Sequence, residues 1–328
     1  MKIKVVYVLI SDGDDDFCEM TLLSVRTLRI HNPNADVYIL TDDSSFQVFS
    51  RNYGLSPDGA TVVVVPIPEG FDKRKRSRYL KTSLRKYISG DFLFVDCDTL
   101  ICGSLDDIAS CKYDIGCVPD FHTQTSLNRP EMISQCEENG FYNLIGMPYY
   151  NSGVIFSKDT PLCAEFFAEW HRLWLVSSTK GNLLDQPAFC QANVNLGFPI
   201  HEIPGEWNCM IQFKEGRALL RKAKILHYFS SPAFSSPPRS FLLDTIKRTR
   251  SIDHSLDNLV RNPKTIGFAT IASDIGNRDF WNRFVFSDFL YVYCFIHPLY
   301  RFMLKVTGIL TKPILFLFRI KDKPRRIH

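Results

Sequence analysis

Along the first ninety residues the apolar positions keep two alternating rhythms. Short β-branched runs, Ile3–Ile10 (IKVVYVLI), Ala35–Leu40 (ADVYIL) and Thr61–Ile67 (TVVVVPI), read as buried strands. Between them apolar residues recur at helical spacing, over Glu19–Ile30 and over Phe46–Tyr53. The first stretch is stopped by Asn32-Pro33-Asn34 and the second is closed by Gly54. The basic segment KRKRSRYLKTSLRKYIS holds Tyr79, Leu80, Leu84, Tyr87 and Ile88 on a helical period, with charges filling the other positions. Strand and helix taking turns predict an α/β fold with a mainly parallel central sheet. Further strands are expected at Asp114–Val118 and Gly153–Ser157, and a helix at Phe166–Val176. Proline and serine over Pro232–Ser240 mark a connection, so the chain divides into a main domain, 1–235, and a helical extension, 236–328.

One run ends differently from the rest. Phe92–Val95 (FLFV) is too short for a helix and too apolar for a surface, so it predicts a central strand with Asp96 and Asp98 at its C-terminal end. In open α/β sheets, ligands bind at that end. Two carboxylates so close repel each other, and something positive is expected between them. A hard divalent cation, Mn²⁺ or Mg²⁺, sharing these oxygens with a diphosphate would meet that need. An Asp-x-Asp spacing also arises by chance, and the chain has other acidic clusters at Asp14-Asp15-Asp16 and Asp106-Asp107. The apolar lead-in sets Asp96 and Asp98 apart from those.

Composition narrows the function classes. Apolar residues make up 45% of the 328, ample for a core, and the net charge of +4 gives no argument for nucleic acid. The ten cysteines are scattered without a CxxC pair, so neither a zinc site nor a thioredoxin-type motif is expected. The apolar run of MKIKVVYVLISDGDDD is too short for a signal peptide, and the expectation is free thiols in a reducing, cytoplasmic setting. From Arg301 onward basic residues interleave with aromatic and aliphatic ones against a single acid, Asp322. No apolar run there reaches the ~18–20 residues of a spanning helix. Residues 284–328 are therefore expected to lie on an anionic bilayer, peripheral on its inner face, with a packed helical subdomain as the alternative.

Several segments in order resemble the retaining, GT-A-fold glycosyltransferases of family 8, the group that includes glycogenin and bacterial lipopolysaccharide galactosyl- and glucosyltransferases. They are YVLISDGDDD with the following LLSVRTL, YLKTSLRKYI, FLFVDCDTLICGSLDDI, YYNSGVIFSK, LLDQPAF and ILHYF, spread over roughly residues 1–230. The resemblance implies a metal-dependent transferase that moves glucose or galactose from a UDP-sugar to a hydroxyl of a glycan or lipid-linked acceptor, in lipopolysaccharide or capsule synthesis. It implies Asp96, Asp98 and His227 as metal ligands. It places Lys81 on the donor phosphates and sugar, and Ser11 and Asp12 beside the nucleotide base and ribose. It sets Asn151, Ser152 and Gly153 beside the sugar, Asp185 on sugar hydroxyls, and Gln186 on the reactive face. For each, a plainer role is available: an N-cap for Asp185, a turn for Asn151–Gly153, one more exposed charge for Lys81.

The sequence departs from that family in one place. Members follow the histidine with glycine and then Lys-Pro-Trp, whose lysine holds the diphosphate; here the text is HYFSSPAFSSPPRS, and Arg239 stands at the wrong spacing to replace it. The run Lys73–Arg76 reads either as a solvated loop or as a lid over phosphates. Three rival functions stand beside the main one. A nucleotidyltransferase is disfavoured because SDGDDDF is acidic rather than glycine-rich and basic. An inverting transferase would need a carboxylate base, with Asp120 or Glu206 as candidates. The third rival is a catalytically inactive glycan- or nucleotide-binding protein of the same fold.

Overall fold

The computed structural model describes residues 3–122, 130–141, 146–228, 239–252, 256 and 260–264. These all fall within one compact unit, Met1–Ser273. The basic-aromatic stretch 284–328 lies outside the described residues, as does most of the Pro232–Ser240 connection.

The two rhythms of the sequence become a sheet with helices on both faces. In chain order the first elements are β1 (Lys4–Leu9), α1 (Phe17–His31), β2 (Asp36–Thr41), α2 (Asp43–Tyr53), β3 (Thr61–Val64), α3 (Lys73–Thr82) and β4 (Phe92–Val95). They continue with β5 (Thr99–Ile101), β6 (Ile115–Pro119), α4 (Pro130–Glu138), β7 (Tyr150–Ser157), α5 (Pro161–Thr179) and α6 (Gln186–Asn195). The last are β8 (Ile200–Glu202), β9 (Cys209–Met210), α7 (Lys214–Leu219), β10 (Ile225–His227) and α8 (Arg239–Thr249). The main sheet has seven strands in the order β3-β2-β1-β4-β7-β6-β8. Its pairings are parallel except those of β7, which runs against both β4 and β6.

Burial on both faces explains the unbroken apolar runs. Val6 and Val8 of β1 join a core with Leu80 of α3, Phe166 and Trp170 of α5 and Phe189 of α6. Val5, Tyr7 and Leu9, alternating with them, join a second core with Val25 and Leu28 of α1 and Phe49 of α2. The helices start and stop as their sequences dictate. Asp42 caps α2 by accepting from Ser45 N, Gly54 closes it with φ of 87°, and Thr160 caps α5 ahead of Pro161. Arg85 pins the turn after α3 to the sheet. Its guanidinium donates to Gly90 O at 2.7 Å, Ser157 Oγ at 2.6 Å and Lys158 O at 2.7 Å, and it lies over the Phe92 ring.

Three short strands form a second sheet, β5-β10-β9, which the apolar pattern does not announce. β5 leaves β4 after the Asp96–Asp98 turn and pairs antiparallel with β10, setting Thr99 opposite His227. The nine described cysteines are free thiols, and among the described residues no helix is long and apolar enough to cross a membrane. The run Lys73–Arg76 is not a loop in this structure: it forms the first turn of α3, capped by Asp72 accepting from Lys75 N at 2.8 Å.

Candidate active site

The second sheet decides where the acidic pair meets its third partner. His227 is separated from Asp98 by well over a hundred residues, yet the pairing with Thr99 sets it one position from that aspartate. Tyr228 N donates to Asp98 O at 3.0 Å and Asp96 N to Gly153 O at 2.8 Å, so both carboxylates leave a fixed backbone. His227 Nε2 stands 3.3 Å from Asp98 Oδ1. One ligand atom each from Asp96, Asp98 and His227 falls within 4.8 Å of the others. Burial pushes the Asp96 carboxyl up from its ordinary value, and the Asp98 charge adds to this, against the pull of Lys81.

These residues fit a divalent cation. Two oxygens and one imidazole nitrogen make a competent donor set for Mn²⁺ or Mg²⁺. Ligands bonded at ~2.1 Å at right angles stand about 3 Å apart, close to the His227–Asp98 separation. His227 Nδ1 is bonded to Asn208 Oδ1 at 2.8 Å, so the opposite edge of the ring faces the aspartates.

Two cations of α3 flank the acidic pair, Lys81 buried and Arg78 partly exposed. Lys81, 3% exposed in the last turn of α3, contacts Asp96 Oδ2 at 3.0 Å and Asp185 Oδ2 at 3.4 Å. Arg78, one turn earlier on the same helix, pairs through Nε with Asp185 Oδ1 at 2.9 Å. Ser152 Oγ donates to Asp185 Oδ2 at 2.8 Å. Burial alone would raise the Asp185 carboxyl; Lys81, Arg78 and Ser152 instead hold it well below the usual carboxylate range. Asp185 occupies the N-cap position of α6, but its side chain makes no capping bond. The plain capping role is thus not the one its carboxylate takes. Trp170 Nε1 donates to Asp185 O at 3.0 Å and fixes the backbone from α5.

The third part of the site is the start of β7, which begins at Tyr150, earlier than the strand expected from Gly153. Asn151 Nδ2 donates to Asp120 Oδ1 at 3.0 Å and reaches Gln186 Oε1 at 3.4 Å. Its Oδ1 accepts from Gly153 N at 3.0 Å and from Asn208 Nδ2 at 2.8 Å. At Gly153 a β-carbon would stand 2.3 Å from His227 Cε1, so only glycine lets the imidazole lie against this strand. Lys81, Asp96, Asp98, Asn151, Ser152, Gly153, Asp185, Gln186 and His227 are therefore brought together at one edge of the sheet.

Ser11 and Asp12 follow β1 at the same edge, but their side chains engage other partners. Ser11 Oγ donates to Asp15 Oδ1 at 2.7 Å, and Ser11 N donates to Ser45 Oγ at 3.0 Å. Lys73 Nζ binds both Asp12 Oδ2 and Asp15 Oδ2 at 2.8 Å, tying the loop to the start of α3. Lys247 of α8 donates to Asp15 O at 2.9 Å from the other side. Of the two candidate bases, Asp120 is in the site. Glu206 instead lines a separate crevice of about 430 Å³ with Asp107, Trp207 and Lys224.

Two members of the site, Arg78 and Asn208, were not singled out from the sequence. Arg78 precedes Lys81 by three residues on a helix, so its shared face was legible. Asn208 lies in EWNCM before a two-residue strand and carries no motif.

No protein-family model matches the chain, and no curated protein matches it by sequence. Solved structures do. The galactosyltransferase LgtC, in a complex with donor and acceptor sugar analogs, matches with a TM-score of 0.50 and 14% identity over 78% of this chain and 99% of that one. The bifunctional glycosyltransferase WbbM matches with a TM-score of 0.50 and 16% identity over 80% of this chain; it is the longer protein, and 52% of it is covered. The chain therefore has the GT-A fold, as the resemblance of its sequence segments implied.

Proposed function

We propose that this protein is a metal-dependent glycosyltransferase that uses a nucleoside-diphosphate sugar, with UDP-glucose or UDP-galactose as donor and a glycan or lipid-linked hydroxyl as acceptor, in the manner of family 8. The observation that carries the reading is the convergence of Asp96, Asp98 and His227 at the strand ends of a GT-A fold. They would hold Mn²⁺ or Mg²⁺, which when bound neutralises charge on the diphosphate leaving group. The finer assignments, retention of configuration and a role in lipopolysaccharide or capsule synthesis, rest on the sequence resemblance.

The chain's own residues divide the remaining work. Lys81, fixed between Asp96 and Asp185, supplies positive charge next to the diphosphate without moving. Arg78 adds a second cation one turn away, and together they supply charge where the family's Lys-Pro-Trp lysine is missing. Asp185 remains ionised and accepts from sugar hydroxyls. The amide of Asn151, held by Asp120, orients the sugar against Gln186 on the reactive face. Inversion with Asp120 as general base is the alternative; against it, the Asp120 carboxylate already accepts from Asn151.

Calorimetry with UDP-glucose and UDP-galactose tests the reading, run with Mn²⁺ and again with EDTA on wild type and Asp98→Asn. Binding that needs both the metal and Asp98 is the expected result. Binding indifferent to both removes the donor site from these residues. Anomeric analysis of the product separates retention from inversion.

A further inference from the structure

The two halves of the site are joined by an unbroken chain of buried side chains, and the direction of every hydrogen bond in it is determined. Gly153 N can only donate, so the atom of Asn151 that it meets at 3.0 Å must be Oδ1. The other end of that amide then presents Nδ2 to Asp120 Oδ1 at 3.0 Å. Asn151 is thus fixed in orientation by two anchors that do not depend on any assignment of its own nitrogen and oxygen. Because Asn151 Oδ1 accepts, the Asn208 atom 2.8 Å from it is the donor Nδ2. Asn208 then has only Oδ1 to offer His227 Nδ1, at 2.8 Å. An amide oxygen accepts and never donates, so the proton sits on Nδ1.

We infer that Asn208 is a positioning residue that relays the orientation of Asn151 to His227, fixing its Nδ1–H tautomer and turning the Nε2 lone pair toward Asp96 and Asp98. Burial makes the relay stringent. Asn208 is 0% exposed, His227 2% and Asn151 3%, so water does not substitute for a lost partner. The same Asn151 amide reaches Gln186 Oε1, which makes it common to the sugar side and the cation side. The cation half of this inference rests on the proposed transferase reading; the tautomer half does not.

Two measurements test it. In wild type selectively labelled with ¹⁵N-histidine, long-range ¹H–¹⁵N spectra should show a proton on His227 Nδ1. A bare Nδ1 overturns the relay whatever the protein's activity. For cation binding, Mn²⁺ alone is titrated by calorimetry into wild type, Asn208→Leu and Asn208→Asp. Leucine removes the acceptor, and Mn²⁺ affinity should fall ~10–100-fold. Aspartate keeps an acceptor for Nδ1–H but breaks the link to Asn151, so affinity should fall, yet by less than in Asn208→Leu at an equal loss of melting temperature. If affinity instead falls in both variants in step with their lost stability, Asn208 is merely structural. If Asn208→Leu does not fold, Asn208→Asp and the spectrum decide. Wild type that binds no Mn²⁺ yet shows the Nδ1–H tautomer would defeat the metal reading while leaving the tautomer relay intact.

Discussion

Gly153 and His227 are in such close contact that a single added methyl group would place carbon 2.3 Å from the imidazole Cε1. The ring cannot retreat freely, because Asn208 holds Nδ1 behind it. Gly153→Ala should therefore displace His227 and cost at least tenfold in Mn²⁺-dependent UDP-sugar affinity, with about 1–3 kcal/mol of lost stability from overpacking. Gly103→Ala is the control, since a β-carbon there meets nothing within 4 Å. Calorimetry and urea denaturation of the two variants read both effects, and equal donor affinity in Gly153→Ala and wild type would contradict the assignment of His227.

Lys81 links two carboxylates that would otherwise face each other across the site. Removing it as Lys81→Met leaves the buried Asp185 and the half-buried Asp96 with less compensation, and a loss of about 2–4 kcal/mol is expected. Asp185→Asn in the same chain removes one of the stranded charges. The double variant should then be more stable than Lys81→Met alone, a coupling of about 1 kcal/mol or more in a double-mutant cycle. Additive losses would mean that the contact seen between Lys81 and Asp185 carries little energy.

Two histidines outside the proposed ligand set make stability depend on pH. Burial lowers His122 and His171 from 6.5 to about 4 in the folded protein, with nearby positive charge on Lys86 adding to the effect at His171. His171 Nδ1 is bonded to Thr82 Oγ1 at 2.7 Å in the core. Below pH 6.5 the unfolded chain takes up protons at these sites that the folded chain still refuses. Stability should thus be full above pH 6.5 and fall as the pH drops toward 4, on the order of 1 kcal/mol for each histidine by pH 5. Urea unfolding at pH 7.5 and 5.0 measures the drop, and His171→Gln should remove its share of the slope.

Arg85 offers a test of the scaffold apart from the chemistry. Its donations to Gly90, Ser157 and Lys158 use a planar fork that a lysine ammonium cannot reproduce. Arg85→Lys should cost about 2 kcal/mol through lost charge-assisted bonds. Donor affinity at saturating metal should be unchanged, since Arg85 touches none of the site residues. A large loss of affinity would show that the turn after α3 governs Lys81 and Arg78.

Much of this architecture was written in the hydrophobic pattern. Phe92–Val95 is β4 to the residue, and the expected α/β alternation gives the sheet that carries Asp96 and Asp98. The nine residues expected around the cation and sugar do gather there, because long apolar elements on either side leave little freedom in how their ends meet. The second sheet was illegible for a physical reason. β5, β9 and β10 have three, two and three residues, too few to show a period, and their pairing is decided by tertiary contact. Asn208 was hidden by the same shortness. Arg78 was legible only through its three-residue spacing from Lys81 on one helix face, in a run where charged residues outnumber the rest. Ser11 and Asp12 follow β1 at the same edge, where their side chains bond to Asp15 and Lys73.

The reversed direction of β7 has a consequence for how such a protein can change over time. Because it runs against β4 and β6, it begins at the edge where its neighbours end, and Asn151, Ser152 and Gly153 run directly into the buried Val154, Ile155 and Phe156. There is no slack between chemistry and core. An insertion or deletion of one residue between Asn151 and Val154 would shift the site by about 3.3 Å and reverse the side of the sheet each side chain faces. Length variation at this strand is therefore excluded between Asn151 and Val154, and that spacing behaves as a fixed ruler by which distant relatives can be aligned.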